Sequence, residues 1–447
     1  MKNVMAFAIV CVLALATAAA SAAEPAGDAG TLWPQWRGPS GDGAAAHGNP
    51  PVEWSETRNV RWKIDVPGRG SSSPIAWGHR IFLTTAIPVD GGGQQPASQQ
   101  AQGRRRPPRE PTSVLKFVVL AIDRKDGHVV WQKTVREERP SAGTHATGTW
   151  ASNSPITDGT HLFVYFGSRG LYCLDMDGNV LWERDFGEMK KKRDFGEGSS
   201  PALLGDKVFI LWDHEGPSFL FAVDKKTGRD VWKVSRDEIS SWSTPLAVEH
   251  EGTPQVVTSA TGQVAGYHAD TGELLWHTSG MTANAIPTPV ITDDTVVVTS
   301  GFRGSALLAI RLAEARGDIT GSEAIAWSLE KGTPYAPSPL LYDGTLYFVK
   351  ANSAILSSFD ARTGKEHYRG QRLEGLGTIY SSPVGVAGRL YVTDRDGNTV
   401  VIRHAPKFEV LATNSLDDGF DASMAVVGDE ILLRGHESLY SIARDDE

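Results

Sequence analysis

A chain of 447 residues with a formal net charge of −9, 40% hydrophobic and 22% charged residues is globular and has no electrostatic attraction for nucleic acid or anionic lipid. The length fits two or three ordinary domains or one repeat architecture. Its 47 Gly and 13 Trp suit many tight turns and large contacts between sheets.

Residues Met1–Ala23 read as a cleaved signal peptide. Lys2 gives the positive start, and Val4–Ala16 is an apolar run too short to span a bilayer comfortably. Ala20-Ser21-Ala22 and Ser21-Ala22-Ala23 are small-residue cleavage sites. The expected location is periplasmic or secreted. Cys11 follows Val10 inside the apolar run, unlike a lipoprotein acceptor, and cleavage leaves Cys173 with no partner for an internal disulfide. No later stretch is long and apolar enough to cross a membrane.

Residues 24–59 form an irregular segment containing TLWPQWRGPSGDG (Thr31–Gly43) and PPVEWSE (Pro50–Glu56). Three Trp among Gly and Pro suggest a strap held against a surface by its rings. A carbohydrate-binding platform is the sharper alternative.

A repeat then takes over. Each copy opens with a small hydroxyl residue before Pro: Ser73-Pro74, Ser154-Pro155, Ser200-Pro201, Thr244-Pro245, Thr288-Pro289, Ser338-Pro339 and Ser382-Pro383. Ser423-Met424 keeps the place without the Pro. From residue 155 the steps are 46, 44, 44, 50, 44 and 41 residues, the length of one four-stranded propeller blade. Ser241–Gly280 shows the unit plainly, with four short runs at Leu246–Val248, Gln255–Ser259, Val264–His268 and Leu274–Thr278. The first step is longer because Pro88–Thr112 is inserted. That low-complexity insertion carries Arg104-Arg105-Arg106 and Arg109, read as a solvated loop.

A second signature falls between the third and fourth strands: Asp123…Gly127…Trp131, Asp175…Gly178…Trp182, Asp224…Gly228…Trp232 and Asp270…Gly272…Trp276. Asp caps local amides, Gly supplies a positive φ, and the Trp is expected to pack across to the neighbouring blade. Trp327 follows an insertion, Ala313–Ser322; the sixth copy has His367-Tyr368 in place of Trp, and the seventh lacks the signature. The eighth copy has three strand candidates, Met424–Val427, Glu430–Leu433 and Leu439–Ile442. Asn59–Val66, with Trp62, has no repeat ahead of it and would complete that blade, removing an open sheet edge. The expected fold is all-β: an eight-bladed β-propeller of four-stranded antiparallel blades over residues 60–447, closed by the N-terminal strand.

The Ser-Pro start, the Asp-x-x-Thr-Gly turn and the following Trp resemble the pyrroloquinoline-quinone (PQQ)-type propeller repeat over residues 60–447. WPQWRGPSGDG, Gly68–Pro74 and Ala315–Gly321 look like a group of secreted bacterial proteins with this repeat. The resemblance implies two contrasting jobs: quinone-dependent alcohol dehydrogenase, or scaffold in outer-membrane protein assembly. The repeat itself selects neither.

A quinoprotein site needs a divalent cation on hard oxygens, a carboxylate base and a planar slot. The resemblance to the dehydrogenases implies adjacent cysteines, which this chain lacks, and their long insertions are missing too. PQQ and Ca²⁺ therefore stand as an alternative. The Asp-x-Asp-Gly-Asn strings in Leu174–Glu183 and Thr393–Asn398 place Gly where a tight turn needs it, not where an EF-hand does. The 12 His show no metal-ligand spacing, and no GxSxG, Walker or dinucleotide motif sits in its required context. No catalytic or metal residue is expected.

What remains is the mouth of the central channel. The residues just before each Ser-Pro should ring it: Arg69, Trp150, Asn153, Glu197, Trp242, Asn284, Tyr335, Tyr380 and Asp421. Aromatic and polar groups together suit a ligand or peptide pocket. The sequence reading is an exported, non-catalytic, monomeric propeller that binds or scaffolds a protein or small ligand there.

Overall fold

The computed structural model describes residues 32–89 and 111–444. The expected signal peptide, Met1–Ala23, and the arginine cluster lie outside the described residues. The remainder folds into eight antiparallel sheets of at least four strands. Blade 1 holds Ile75–Trp77, Arg80–Pro88, Leu115–Asp123 and Val129–Glu138. Blades 2 to 7 follow in chain order, starting at Ile156, Ala202, Leu246, Val290, Leu340 and Val384. Blade 8 takes Ala425–Val427, Glu430–Arg434 and Ser438–Ile442, and Val60–Asp65 pairs as its outer strand, Trp62 opposite Ser441. The first strands of neighbouring blades touch, so they line the hub.

The Ser/Thr-Pro signature has a direct physical role. At seven of the eight junctions the amide of the Ser or Thr donates to the hydroxyl of its counterpart one blade on. Ser73 reaches Ser154 at 2.9 Å, Ser154 reaches Ser200 at 2.9 Å and Ser200 reaches Thr244 at 3.0 Å. Thr288 reaches Ser338, Ser338 reaches Ser382, and Ser382 reaches Ser423, each at 2.9 Å. Ser423 closes on Ser73 at 2.9 Å. The link from Thr244 to Thr288 is missing: the buried Thr288 hydroxyl has no partner, and Ser243 Oγ donates instead to the Pro287 carbonyl at 3.0 Å.

The Trp-and-turn signature fastens the rim. Trp62, Trp131, Trp182, Trp232 and Trp327 each donate their indole N–H at 2.9–3.0 Å to a carbonyl at the start of the next blade's turn. The turn Gly lies under the ring: a Cβ at Gly178 would come within 2.9 Å of Trp131. So this glycine is required by a close approach as well as by its φ of 86°. The residue beneath each Trp on the adjacent strand is small, and Cys173 fills that place opposite Trp182.

Trp276 departs from the expected cross-blade docking. Blade 5 has no Asp-Gly turn to receive it. The inserted segment folds back instead, Gly317 pairing beside Trp276, and the indole donates to Gln255 Oε1 at 3.1 Å within its own blade. Blade 7 has Ala412 at the Trp place, opposite Val401, and Trp54 of the strap joins the apolar cluster that Ala412 packs against.

The strap also differs from a surface belt, because it enters the hub. Leu32–Trp33 pairs along the inner edge of blade 1, with Trp33 1% exposed. The Arg37 guanidinium, buried, donates to Pro383 O at 2.9 Å, to Pro339 O and to Asp42 O at 2.8 Å. Gly43 and Ala45 bond the main chain of Gly385 in blade 7. The chain leaves past the first hairpin turn of blade 8, where the Asn49 amide donates to Asp429 at 2.6 Å. An extended chain whose amides and carbonyls meet first-strand backbones satisfies polar groups that a bare channel would leave to water.

Candidate functional site

The strap occupies the hub from the hairpin-turn end. The opposite end is ringed by two sets of segments: the connections that precede each Ser/Thr-Pro, and the loops joining second to third strands. Both end up there because antiparallel strands return to the same side.

Four of the sequence-predicted residues gather across blades 2 to 4. Trp150, Asn153 and Glu197 line a cavity of about 20 Å³ with Phe166, Arg169, Met189 and Lys191. That is room for roughly one water molecule. Trp242 stands beside it, its indole donating to Gly196 O at 2.8 Å and its ring 5.5 Å from Lys191 Nζ. Trp150 donates to Ala142 O at 3.0 Å, and Asn153 donates to Ser199 O. Glu197 turns both oxygens to Ser168, one to its amide and one to its hydroxyl. Burial raises the Glu197 pKa, against Ser168, Arg169 and Lys191. Burial likewise lowers Lys191 to about 8.

Three others form a second arc over blades 5 to 8. Tyr335 stacks on Phe302 at 5.0 Å. The Arg395 guanidinium lies 4.6 Å over the Tyr380 ring and pairs with Asp421 at 2.5 and 3.1 Å. His436 Nε2 meets Asp421 Oδ2 at 2.9 Å, the oxygen that Arg395 Nη2 also contacts. Burial alone would raise the Asp421 pKa, but His436 and Arg395 outweigh it and hold the carboxylate low. His145, lowered by burial and by Arg395, feels the same pair from the connection between blades 1 and 2.

Asn284 lies between the arcs, 2% exposed, with φ 58°. Arg69 joins neither arc: its main chain bridges Ala86, and the side chain is half-buried. Sequence reasoning missed Lys191, Arg169, Phe302, Arg395 and His436. All but Lys191 sit on second-to-third-strand loops, which the rule of residues before Ser-Pro does not reach. The signal for them was strand direction: those loops necessarily share the mouth.

A cation-and-quinone site requires hard oxygens free to ligate. Here Asp421 is held by Arg395 and His436, and Asp213 by Arg236 at 2.8 Å and Ser241 at 2.7 Å. Glu238 accepts the amides of Gly262 and Gln263, both at 2.8 Å. These mouth carboxylates would have to break protein bonds before they could ligate a cation. Among the described residues, Asp123, Asp126 and His128 form one close acidic group, in the turn of blade 1. Their carboxylates accept turn amides from Lys125 at 2.8 Å and His128 at 3.0 Å, so turn chemistry accounts for them.

A profile of the family described as outer membrane protein assembly factor BamB matches residues 115–368 and 219–446. No curated protein sequence matches the chain. Among solved structures, BamB from Moraxella catarrhalis aligns with TM-score 0.53 and 14% identity, covering 80% of this chain and 99% of that one. A europium-containing methanol dehydrogenase aligns with TM-score 0.62 and 10% identity, covering 93% of this chain and 98% of its own. Quinohemoprotein alcohol dehydrogenase from Comamonas testosteroni gives TM-score 0.57 and 10% identity, with 93% and 81% covered. Identities this low speak for the shared fold alone.

Proposed function

The chain belongs to the PQQ-type repeat propeller family described as outer membrane protein assembly factor BamB, and on that premise we propose that it is an exported, non-catalytic propeller that binds or scaffolds another molecule through its channel mouth. One observation carries the reading. The chain's own strap, anchored by Arg37 on Pro339 and Pro383, fills the hub from one side, while the other side presents aromatic and charged groups whose carboxylates already serve the protein. Such a surface suits recognition: ring faces at Tyr335 and Tyr380 supply contact area, and Arg395 and His436 supply fixed polarity. The periplasm or exterior is the compartment this reading assigns, following from Met1–Ala23 as a cleaved signal.

The test is affinity capture from the envelope of the source cell with immobilised wild-type protein and a Tyr335→Ala, Arg395→Ala double variant. A partner held by the wild type and lost by the variant supports the reading. Co-purification of the barrel-insertion complex would place the work in outer-membrane protein assembly. Capture that the double variant leaves unchanged would refute the mouth as the contact. Stoichiometric binding of PQQ with Ca²⁺, together with alcohol-dependent dye reduction, would overturn the non-catalytic assignment.

A further inference from the structure

We propose that the cavity beneath Trp150 and Trp242 is a receptor for one small monovalent anion, a halide or a single carboxylate group, with Lys191 as its counter-ion. The proposal rests on the mouth as a binding region and names the ligand chemistry of one part of it.

Lys191 is forced inward by its neighbours. The Lys190 amide donates to His214 Nδ1 at 3.0 Å, and the Lys192 amide donates to Ser240 Oγ at 2.9 Å. With the backbone pinned on both sides, the Lys191 side chain lines the cavity and is 6% exposed. Its ammonium donates to two backbone carbonyls, Asp213 O at 2.5 Å and Ser241 O at 2.8 Å. An ammonium has three donors, and the group lines the cavity. The third N–H has no acceptor among the described residues.

No carboxylate touches this charge. The candidates nearby are all committed elsewhere. Glu197 faces Ser168, the Asp213 carboxylate faces Arg236 and Ser241, and Glu215 accepts the Ser240 amide at 3.3 Å. The one other cation on the wall, Arg169, is already neutralised by Glu138 and Glu188, both at 2.5 Å. Asp194, also on the wall, is exposed. Lys191 is thus a buried cation bonded to carbonyl dipoles, with Glu197, Asp213 and Glu215 acting on it only through space and failing to offset its burial. Burial does push its pKa down, to about 8.

An anion in the adjoining space offsets that cost. The space selects by size: about 20 Å³ accepts a chloride or the end of a carboxylate, and excludes phosphate esters and nucleotides. Phe166 and Trp150 give the cavity aromatic walls, and the Trp242 ring lies 5.5 Å from the ammonium.

The experiment uses the full-length protein in a buffer free of halide and carboxylate. Chloride, formate and acetate are titrated separately, and tryptophan fluorescence is followed, since Trp242 lies 5.5 Å from the ammonium. A saturable change with one of them, lost in Lys191→Met and kept in Lys192→Met, is the expected result. Saturation by chloride alone would identify a halide site, and saturation by formate or acetate a carboxylate site. A response that is absent, or equal in Lys191→Met, would overturn the proposal and leave water as the occupant. If Lys191→Met fails to fold, anomalous diffraction from a bromide-soaked wild-type crystal decides: a peak beside Nζ supports the site, and none refutes it. Partner capture that survives in Lys191→Met while the anion response vanishes separates this site from the mouth reading; loss of the anion response with capture intact in the wild type refutes only the anion site.

Discussion

The amide of Ser423 donates to the hydroxyl of Ser73 at 2.9 Å, across 350 residues of sequence. This single bond joins the last repeat to the first and completes a series that runs hub-side through seven blade junctions. The same hydroxyl that accepts in one blade belongs to a residue whose amide donates to the next. The series is therefore directional, and each member is needed by its neighbour.

Removing one acceptor should show this. Ser73→Ala strands the buried Ser423 amide, and leaving such a donor unpaired costs about 1–3 kcal/mol. Thr288→Val is the control: its hydroxyl accepts nothing, so the change should be neutral within ~0.5 kcal/mol. Urea unfolding of the two variants checks the contrast, and equal losses would sink it.

Trp276→Ala should destabilise by about 3–5 kcal/mol, since the ring is fully buried and its truncation leaves a cavity. The loss should also free the Gly317–Asp318 segment paired on that strand. Hydrogen exchange over residues 312–322 reports it. Unchanged protection there would contradict the packing.

Deleting Val60–Asp65 removes the outer strand of blade 8 and bares the edge of Ser438–Ile442. Exposed edges template intermolecular pairing. Gel filtration should show aggregates or an expanded chain. A monomer with native circular dichroism would refute the closure.

Asp158 and Lys225 join blades 2 and 3 at 2.8 Å. Burial alone would raise the Asp158 pKa; Lys225 and the amides of His161 and Thr160 outweigh it and bring it to about 2. A carboxylate depressed in the folded state contributes stability above its ordinary pKa, and that contribution is lost as pH falls through the folded value. The wild type should therefore lose ~1 kcal/mol, after solvent screening, between about pH 4 and pH 2. Asp158→Asn should lack that portion of the acid loss. Parallel pH curves for the two proteins would count against the link.

Cys173 is buried beneath Trp182, and burial pushes its thiol up to about 12. A thiol reagent at pH 8 should leave it unmodified until denaturant is added. Rapid labelling of the native protein would mean that blades 2 and 3 separate readily.

The candidate site was half legible. Trp150, Asn153 and Glu197 could be read from their place before the Ser-Pro pairs, and they line one cavity, with Trp242 beside it. Lys191 could not, because nothing in KKKRD marks which of three lysines turns inward. That depends on His214 and Ser240, contributed by other segments, catching the amides on either side. Arg69 has the same place in the pattern, but its main chain bridges Ala86 and it joins neither arc.

The number of blades, the turns and the closing role of Trp62 were written in local pattern, because every blade needs the same short strands and most reuse the same turn glycine and the same ring to bury. Where the strap runs was not. Its Trp, Gly and Pro are compatible with any groove, and only the assembled hub offers the Pro339 and Pro383 carbonyls that take up Arg37. The fate of Trp276 was likewise decided in three dimensions, since a residue's docking partner belongs to the neighbouring blade and blade 5 had replaced it. Repetition is a property of the chain itself, whereas complementarity between distant segments exists only once the ring has formed.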